Sequence, residues 1–208
     1  MIDITYRSAE RHDCALIISF IRELAAYEHM ENHVVATEEL LAEWLFDKQS
    51  AEVIFAVVDN QEVGFALFFT NFSTFLGRAG MYLEDIFIKA EHRRRGIGTA
   101  MFKKLAQIAV ERGYGRFEWA CLDWNTPSID FYKQHGAVAM DEWTTYRLSE
   151  ELFEEAGAAD FDIEPLCDYW VYVELDGKVT SWKTACKNNA LPGAAKNAFR
   201  RRAKVICI

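Results

Sequence analysis

MYLEDIFIKAEHRRRGIGTAMFKKLAQIA, residues 81–109, predicts an apolar strand, a turn rich in arginine and glycine, and an amphipathic helix, in that order. The first N–H groups of a helix lack intrahelical partners and lie at the positive end of its dipole, so such an end binds anions. Gly96 and Gly98 allow positive φ and close approach of a ligand, and Arg93, Arg94 and Arg95 add positive charge. The stretch therefore predicts a phosphate-binding turn, with a pyrophosphate as the expected ligand group.

Two other phosphate-binding turns do not fit this stretch. A dinucleotide fingerprint requires a small residue where Met101 stands, and the Gly-Lys-Ser/Thr of a Walker turn is absent. The remaining pattern, Arg93-x-x-Gly96-x-Gly98, resembles the acetyl-CoA motif Q/R-x-x-G-x-G/A of the GNAT N-acetyltransferase superfamily. So short a pattern also fits a basic loop before a glycine-rich helix start, and the rest of the chain decides between the two.

Composition sets broad limits on the fold and its partners. With 208 residues and 51% hydrophobic content, the chain suits one domain, or one domain with an appendage. No long apolar run and a charged N-terminus indicate a cytoplasmic protein without membrane contact. The five cysteines are widely spaced and form no C-x-x-C pair, which argues against a disulfide framework. The net charge of −9 argues against nucleic acid and is compatible with a cationic substrate.

The charge changes sign near the C-terminus. No acidic residue follows Asp176, whereas eight lysines and arginines do. The resemblance to the GNAT superfamily extends over about residues 1–150, which implies an acetyltransferase domain there and leaves an extension of unassigned role over 151–208. The segment DYWVYVELDGKV predicts strands around an Asp-Gly turn, and the basic end of the chain is compatible with a small β-appendage, a dimer arm, a docking segment or disorder.

The hydrophobic pattern predicts the order β-α-α-β-β-β-α-β-α-β-β. Residues 2–7 alternate as a strand, Asp13 and Thr37 are candidate N-caps of two helices, and a hairpin turns at residues 59–62. A loop over residues 73–80 leads to the strand of the opening stretch. A further strand follows at 116–124, then a helix that begins near Pro127 and ends at Gly136. Residues 137–148 are expected to form two closing strands.

This order, and the segments YEHMEN, YLEDIFI, RRRGIG and WNTPSIDFYKQHGA, resemble the spermidine/spermine N-acetyltransferase branch of the GNAT superfamily over about residues 1–150. The resemblance implies an α/β GNAT fold with a mixed, mostly antiparallel central sheet of six to seven strands. The sheet is splayed between strands 4 and 5 and has helices on both faces. It also implies a homodimer that acetylates polyamines or related diamines from acetyl-CoA.

Acetyl transfer to an amine requires a neutral nucleophile and a proton for the departing thiolate. The resemblance assigns the base to Glu84 and the acid to Tyr132, whose phenol has a pKa near that of a thiol. Adjacent strand residues point to opposite faces, so Glu84 and Asp85 are expected to serve different environments. The alternatives are that Glu84 only orients the substrate and that Tyr132 only packs beside Phe131.

The resemblance also implies the cofactor contacts. Backbone groups of residues 86–88 would pair with the pantetheine arm, and backbone N–H groups of the turn would bind the pyrophosphate. The expected contacts are Ile86, Phe87, Ile88, Arg93, Arg94, Arg95, Gly96, Ile97, Gly98, Thr99, Asn125 and Ser128.

The amine is expected in a narrow acidic channel, because carboxylates fix ammonium groups and aromatic faces attract cations. The residues assigned to it are Tyr27, Glu28, Asp85, Glu142 and Trp143. Ser73 and Phe75 stand where the spermidine/spermine enzymes carry an acidic residue and a Trp, which favours thialysine or short diamines over spermine. His29 and His33 have the spacing of two metal ligands, but a third ligand is missing, and polar surface is the preferred interpretation.

The sequence predicts an acetyl-CoA-dependent N-acetyltransferase for a polyamine, a diamine or an amino acid with a basic side chain. Two alternatives remain open. One is acetylation of another acceptor, such as an aminoglycoside, a peptide or a protein lysine. The other is a non-catalytic acyl-CoA-binding module that has kept the phosphate turn, against which the presence of both Glu84 and Tyr132 argues.

Overall fold

The structure is a computed structural model. It describes residues 2–150 and 152 with their side chains, and the backbone of residues 169–175, 178–184 and 204–207. Two compact units are present, residues 1–138 and 139–208. The sequence predicted the domain boundary at residue 150, whereas the two units divide after residue 138.

The first unit alternates strands and helices as predicted. Its elements are β1 Thr5–Ser8, α1 Cys14–Glu28, α2 Glu38–Leu41 with a π-helical continuation Ala42–Asp47, β2 Glu52–Val58, β3 Gln61–Ser73, β4 Arg78–Ile88, α3 Ile97–Glu111, β5 Phe117–Trp119 and α4 Thr126–Gln134. The predicted order is confirmed from β1 to α4.

The five strands form one sheet in the order β1-β2-β3-β4-β5. All neighbours are antiparallel except β4 and β5, which are parallel. The mixed, mostly antiparallel sheet is confirmed, whereas the expected six to seven strands are not. Residues 137–148 contain no strand. The prediction of two closing strands there was wrong because alternating side chains make a strand only where a neighbouring backbone pairs with it.

Helices cover both faces of the sheet, as expected. Because side chains alternate along β2, Ile54, Ala56 and Val58 pack with α3, whereas Val53 and Phe55 pack with α1. The core under α3 includes Met101 and Leu105, and the core under α1 includes Ile17 and Phe20. The sheet is therefore buried on both sides and forms a rigid platform for the loops at the ends of its strands.

One predicted helix cap is confirmed and one is wrong. Thr37 Oγ1 accepts the N–H of Leu40 at the start of α2. Asn125 caps α4, a cap that the sequence analysis did not predict. Asp13 precedes α1 without capping it. Its carboxylate instead accepts two hydrogen bonds from Arg7, at 2.7 and 2.8 Å, and one from the N–H of Glu10. Pairing with a guanidinium is the stronger, charge-assisted interaction, so the cap is given up.

Both hairpins are tighter than predicted. Only Asp59 and Asn60 separate β2 from β3, and both have positive φ, 52° and 62°, as in a type I′ turn. The loop between β3 and β4 is confined to residues 74–77, since the strands pair as far as Ser73 and Arg78. Ser73 is buried and accepts the N–H of Leu76. Half of the predicted eight-residue loop is therefore sheet.

The second unit contains a separate sheet. Strands β6 Tyr169–Leu175, β7 Lys178–Thr184 and β8 Lys204–Cys207 run antiparallel in the order β7-β6-β8. The predicted strands on either side of the Asp176-Gly177 turn are thus confirmed, and the turn itself lies outside the described residues, as do Cys167, Cys186 and residues 185–203. Among the helices described, none combines the length and apolar character needed to cross a membrane.

Candidate active site

The sheet opens between β4 and β5. The two strands pair only at Met81 with Phe117, Tyr82 with Glu118 and Leu83 with Trp119, yet β4 continues to Ile88. Beyond Leu83, β5 leaves β4, so the edge of β4 over residues 84–88 has no strand partner on that side within the described chain. The predicted splay is present, and it exposes the backbone that the sequence assigned to the pantetheine arm.

The phosphate turn lies at the end of the opening. Gly96 is the N-cap of α3 with φ of 81°, and it offers no side chain to the first N–H groups of the helix. Arg94 also has positive φ, 58°. Gly98 does not, because it already belongs to the first turn of α3. The expectation that both glycines take positive φ was wrong for Gly98.

Gly98 has a different structural role. A Cβ built on it would lie 3.9 Å from both Ile88 Cγ1 and the Phe131 ring, in ordinary van der Waals contact. It would fill the space between the end of β4 and α4 without a clash. The glycine therefore leaves space between the end of β4 and α4 where α3 begins.

The arginines of the turn have separate surroundings. Arg93 donates its Nε–H to the carbonyl of Ile88 at 2.8 Å, and its guanidinium lies 4.7 Å from the ring centre of Tyr27 and 5.0 Å from that of Phe87. Arg95 contacts His92 at 3.1 Å. The Arg93 side chain therefore connects the end of β4 to α1. The residue contributes its backbone, rather than its guanidinium, to the predicted phosphate turn.

A β-bulge places Glu84 and Asp85 on the same face of the sheet. Asp85 pairs with Leu67 and Leu83 with Phe68, so Glu84 is an extra residue. Before the bulge Leu83 packs on the α3 side, and after it Phe87 packs on the α1 side. Both carboxyl groups therefore lie on the α1 face. The prediction of opposite faces was wrong because it assumed unbroken alternation.

Glu28, the last residue of α1, completes an acidic group on this face. Burial, and to a lesser extent the negative charges of Glu84 and Glu28, together raise the pKa of Asp85 to about 7. Burial also raises the pKa of Glu28. Glu84 is exposed, whereas Asp85 is half-buried. The carboxyl group of Asp85 therefore exchanges its proton near neutral pH.

Tyr132 packs against three aromatic rings. Its ring centre is 4.8 Å from Trp119, 5.4 Å from Phe131 and 6.0 Å from Phe102. Phe102 in turn packs edge-on against Trp119 at 5.3 Å. Rings in such offset and edge contacts restrict one another's rotation, so the phenol is held in a defined place at the exit of β5.

Several acidic groups act on the Tyr132 hydroxyl. Burial raises its pKa, and so do the charges of Cys121, Glu28 and Asp85. The phenol therefore stays protonated over the physiological range, although its pKa does not match that of a thiol, as the sequence argument assumed. The pKa of Cys121 is itself raised by burial and by Glu28 and Asp123. Tyr132 thus shares one electrostatic environment with Asp85 and Glu28.

A hydrogen bond joins the predicted amine side of the site to the predicted cofactor side. Tyr27 donates its hydroxyl to Oδ1 of Asn125 at 2.9 Å, and the same oxygen accepts the N–H of Ser128 at 3.4 Å. Asn125 is only 5% exposed. Trp124 packs near Tyr27 and His29, with ring centres 6.3 and 5.9 Å away, and about half of its surface is exposed to solvent.

The structure also gives the surroundings of the other residues that the sequence singled out. His29 caps α1 with φ of 60° and His33 lies in a separate 3₁₀ turn, so the two do not share a helical face. Glu142 and Trp143 belong to the second unit and are exposed, and their part in amine binding stays a prediction. Phe75, at the tip of the β3–β4 hairpin, is 92% exposed.

The sequence profile of the Acetyltransferase (GNAT) family matches residues 18–137, which include the splayed strands, the phosphate turn and Tyr132. The chain belongs to the GNAT family. The predicted family and the predicted class of enzyme, an N-acetyltransferase, are therefore confirmed.

Curated relatives within the GNAT family identify the branch. Thialysine N-epsilon-acetyltransferase from Sus scrofa is 36% identical over 167 residues, which cover 74% of this chain and 98% of that protein. An L-ornithine N5-acetyltransferase from Arabidopsis thaliana is 43% identical over 91 residues, 44% of this chain and 40% of that protein. Spermidine/spermine N(1)-acetyltransferase-like protein 1 from Homo sapiens is 32% identical over 162 residues, 72% of this chain and 23% of that protein.

Sequence reasoning missed several residues around this GNAT site. Trp119, Cys121 and Trp124 were not assigned, although they lie beside Tyr132, Glu28 and Tyr27. No spacing rule reveals them, because their proximity depends on how the loop after β5 returns to α1. The available signal was the clustering of the aromatic residues Phe117, Trp119 and Trp124 in and after β5.

Proposed function

We propose that this GNAT enzyme transfers the acetyl group of acetyl-CoA to a primary amine of a small cationic substrate, namely a polyamine, a diamine or a thialysine-like amino acid. The observation that carries the proposal is the convergence of a half-buried acidic group with Tyr132 beside the opening between β4 and β5. We further propose that it acts as a cytoplasmic homodimer.

Acetyl-CoA fits the residues present at the opening. Its pyrophosphate would accept hydrogen bonds from the backbone N–H groups of residues 94–99, at the start of α3. The unpaired edge of β4 would hydrogen-bond the pantetheine arm through residues 86–88, as an added strand. Asn125 and Ser128 would contact the arm further down, and the missing Cβ of Gly98 leaves room for it.

The chemistry needs one proton acceptor and one proton donor. An aliphatic ammonium must lose a proton before its nitrogen can attack the thioester carbonyl. This proton passes to the Glu84–Asp85 pair, of which the family resemblance selects Glu84. Tyr132 gives its hydroxyl proton to the sulfur as the C–S bond breaks, which its raised pKa permits because the phenol is fully protonated beforehand.

The substrate class follows from charge and from the relatives. Glu28, Glu84 and Asp85 lie on one face and would hold ammonium groups, and Tyr27 with Trp124 adds aromatic surface. The relatives named for thialysine and L-ornithine act, by those names, on amino acids with a side-chain amine, which supports that choice over long polyamines.

An amine panel with acetyl-CoA tests the proposal, with release of free CoA thiol as the measurement. The panel contains thialysine, ornithine, short diamines, spermidine, spermine, an aminoglycoside and a lysine peptide. We expect the small cations to be acetylated with the highest kcat/KM. Turnover of the aminoglycoside or the peptide alone would support the other acceptor class. Binding of CoA without turnover of any amine would support a non-catalytic module.

The product analysis completes the test. Mass spectrometry should show one added acetyl group on the amine and none on the protein, because direct transfer needs no acetylated enzyme. Tyr132→Phe should retain CoA binding and lose about 10²-fold or more in kcat, the usual effect of removing a general acid. Trp44→Leu, far along the chain on an exposed helical surface, is the matched aromatic control.

A further inference from the structure

We infer that Asp85, rather than Glu84, accepts the proton of the reacting ammonium, and that Glu84 and Glu28 hold the cation beside it. The inference rests on the proposed function, because it assigns a role within the same site. It starts from the bulge in β4, which brings two consecutive carboxyl groups to the α1 face instead of separating them.

The two carboxyl groups differ in solvation. Glu84 is the extra residue of the bulge and is exposed, so water stabilises its charge. Asp85 is half-buried and pairs across the sheet with Leu67, which packs against the core under α1. A general base works best when its proton affinity matches the working pH, and burial provides this for Asp85.

The charged groups that face Asp85 all raise its pKa. Glu84 comes from its own strand, Glu28 from the end of α1, and Tyr132 from α4, while β3 contributes the apolar Leu67. The two charges acting on Asp85 are both negative. Arg93, further along this face, is held over the rings of Tyr27 and Phe87 and by the carbonyl of Ile88. An incoming ammonium would relieve the repulsion among the carboxylates.

The link between α1 and α4 gives the second geometric argument. Tyr27, next to Glu28 at the end of α1, donates its hydroxyl to Asn125 at 2.9 Å, and Asn125 caps the helix that carries Tyr132. The charges of Glu28 and Asp85 both act on the phenol, which agrees with this proximity. An amine held between Glu28 and Asp85 therefore has the proton acceptor and the thiolate's proton donor within the same small space. The opening beside β4, where the thioester would enter, borders this space.

The proposed step balances in protons and electrons. Asp85 takes one proton from R–NH₃⁺, and the nitrogen lone pair of R–NH₂ forms the new C–N bond at the acetyl carbonyl. The C–S bond breaks with its electron pair on sulfur, which takes the proton of Tyr132. The surplus proton on the newly acylated nitrogen returns to the Tyr132 phenolate. Asp85 releases its proton to solvent, so one proton leaves for each amide formed.

The pH dependence of kcat/KM separates the two carboxyl groups. Because Asp85 must be ionised in the free enzyme, kcat/KM should fall as the pH drops below about 7. Asp85→Asn should remove this limb and lower kcat/KM by about 10²-fold or more at its optimum. Glu84→Gln and Glu28→Gln should keep the limb and move it to lower pH, because a like charge near Asp85 is gone. CoA affinity and thermal unfolding of each variant check that the fold is intact.

A titration of the free protein gives a readout that needs no turnover. Carboxyl ¹³C NMR of aspartate-labelled protein should show one resonance that titrates near pH 7 and is missing in Asp85→Asn. An active wild type whose acidic limb survives Asp85→Asn and disappears in Glu84→Gln would overturn the inference and leave the proposed function standing. A limb that survives in both variants would also overturn it. A wild type that acetylates no amine would overturn the proposed function and, with it, this inference.

Discussion

The hydroxyl of Tyr27 donates a hydrogen bond to the side chain of Asn125, although 98 positions separate the two residues in the sequence. Tyr27 lies near the end of α1, on the side where we propose the amine binds, and Asn125 caps the helix that carries Tyr132. The bond therefore links the two halves of the site through one buried amide oxygen. Its contribution to folding can be measured apart from catalysis.

We expect Tyr27→Phe to lower the free energy of unfolding by about 1 kcal/mol, the usual net worth of such a hydrogen bond. Asn125→Ala should cost about 2 kcal/mol, since it also removes a helix cap and leaves the Tyr27 hydroxyl unpaired. Denaturant unfolding of both single variants and the double variant measures the coupling. Tyr146→Phe, at an exposed tyrosine, is the control and should change nothing. Additive effects of the two substitutions would contradict the coupling.

Gly98→Ala should weaken binding of CoA and acetyl-CoA about tenfold, equivalent to about 1.4 kcal/mol, while leaving the fold as stable or slightly more so. The added Cβ would contact Ile88 and Phe131 without a clash and occupy the space between the end of β4 and α4, and alanine is the better helix former. Calorimetric titration and thermal unfolding provide the two measurements. Gly113→Ala is the matched control. Its φ of 68° predicts lower stability with unchanged CoA affinity. Equal CoA affinity of Gly98→Ala and wild type would argue against this space as the cofactor site.

Asp85→Asn should stabilise the free protein at neutral pH. The pKa of Asp85 in the folded protein is raised to about 7 from its ordinary value of 3.8, so between these values the folded state binds more protons than the unfolded state. Wild-type stability therefore falls as the pH rises through this window. Asp85→Asn lacks this dependence, and its advantage should be greatest above pH 7 and vanish near pH 4. Each kcal/mol gained should raise Tm by about 2 to 4 °C. Parallel Tm profiles of the two proteins from pH 4 to 8 would contradict the raised pKa.

Trp119→Leu should lower kcat about tenfold with little effect on CoA affinity. Trp119 does not reach the reacting atoms in our proposal. It positions Tyr132, whose ring centre is 4.8 Å away. Trp119→Phe should recover part of the loss, because a smaller ring restores some of the contact. Steady-state kinetics and CoA titration distinguish positioning from binding. A loss confined to KM for the amine would instead assign Trp119 to the substrate.

Local sequence patterns were sufficient for most of the fold. Thr37 caps its helix as predicted because a side-chain oxygen three residues before a free N–H needs no tertiary partner. The turn at Asp59 and Asn60 is similarly local. Asp13 was predicted incorrectly because Arg7, aligned beside it only after β1 pairs with β2, competes for its carboxylate.

The candidate site was predicted in part. The glycine turn, the Glu84–Asp85 strand and Tyr132 carry family motifs and could be named from the sequence alone. Their relationship could not, because a single inserted residue in β4 changes the face to which one carboxyl group points. Trp119 and Cys121 contact or influence Tyr132 only because α4 folds back across the end of β5.

The sequence by itself determined the order of strands and helices, the glycine- and arginine-rich turn before α3 and the family, since each depends on periodicity, caps and short motifs along one stretch of chain. The tertiary structure alone decided which carboxyl group has the high proton affinity and which rings hold the phenol. Proton affinity depends on burial and on charges brought together from α1 and β4. These residues are separated by more than fifty positions in the chain, and no pattern within one segment records their distance in space.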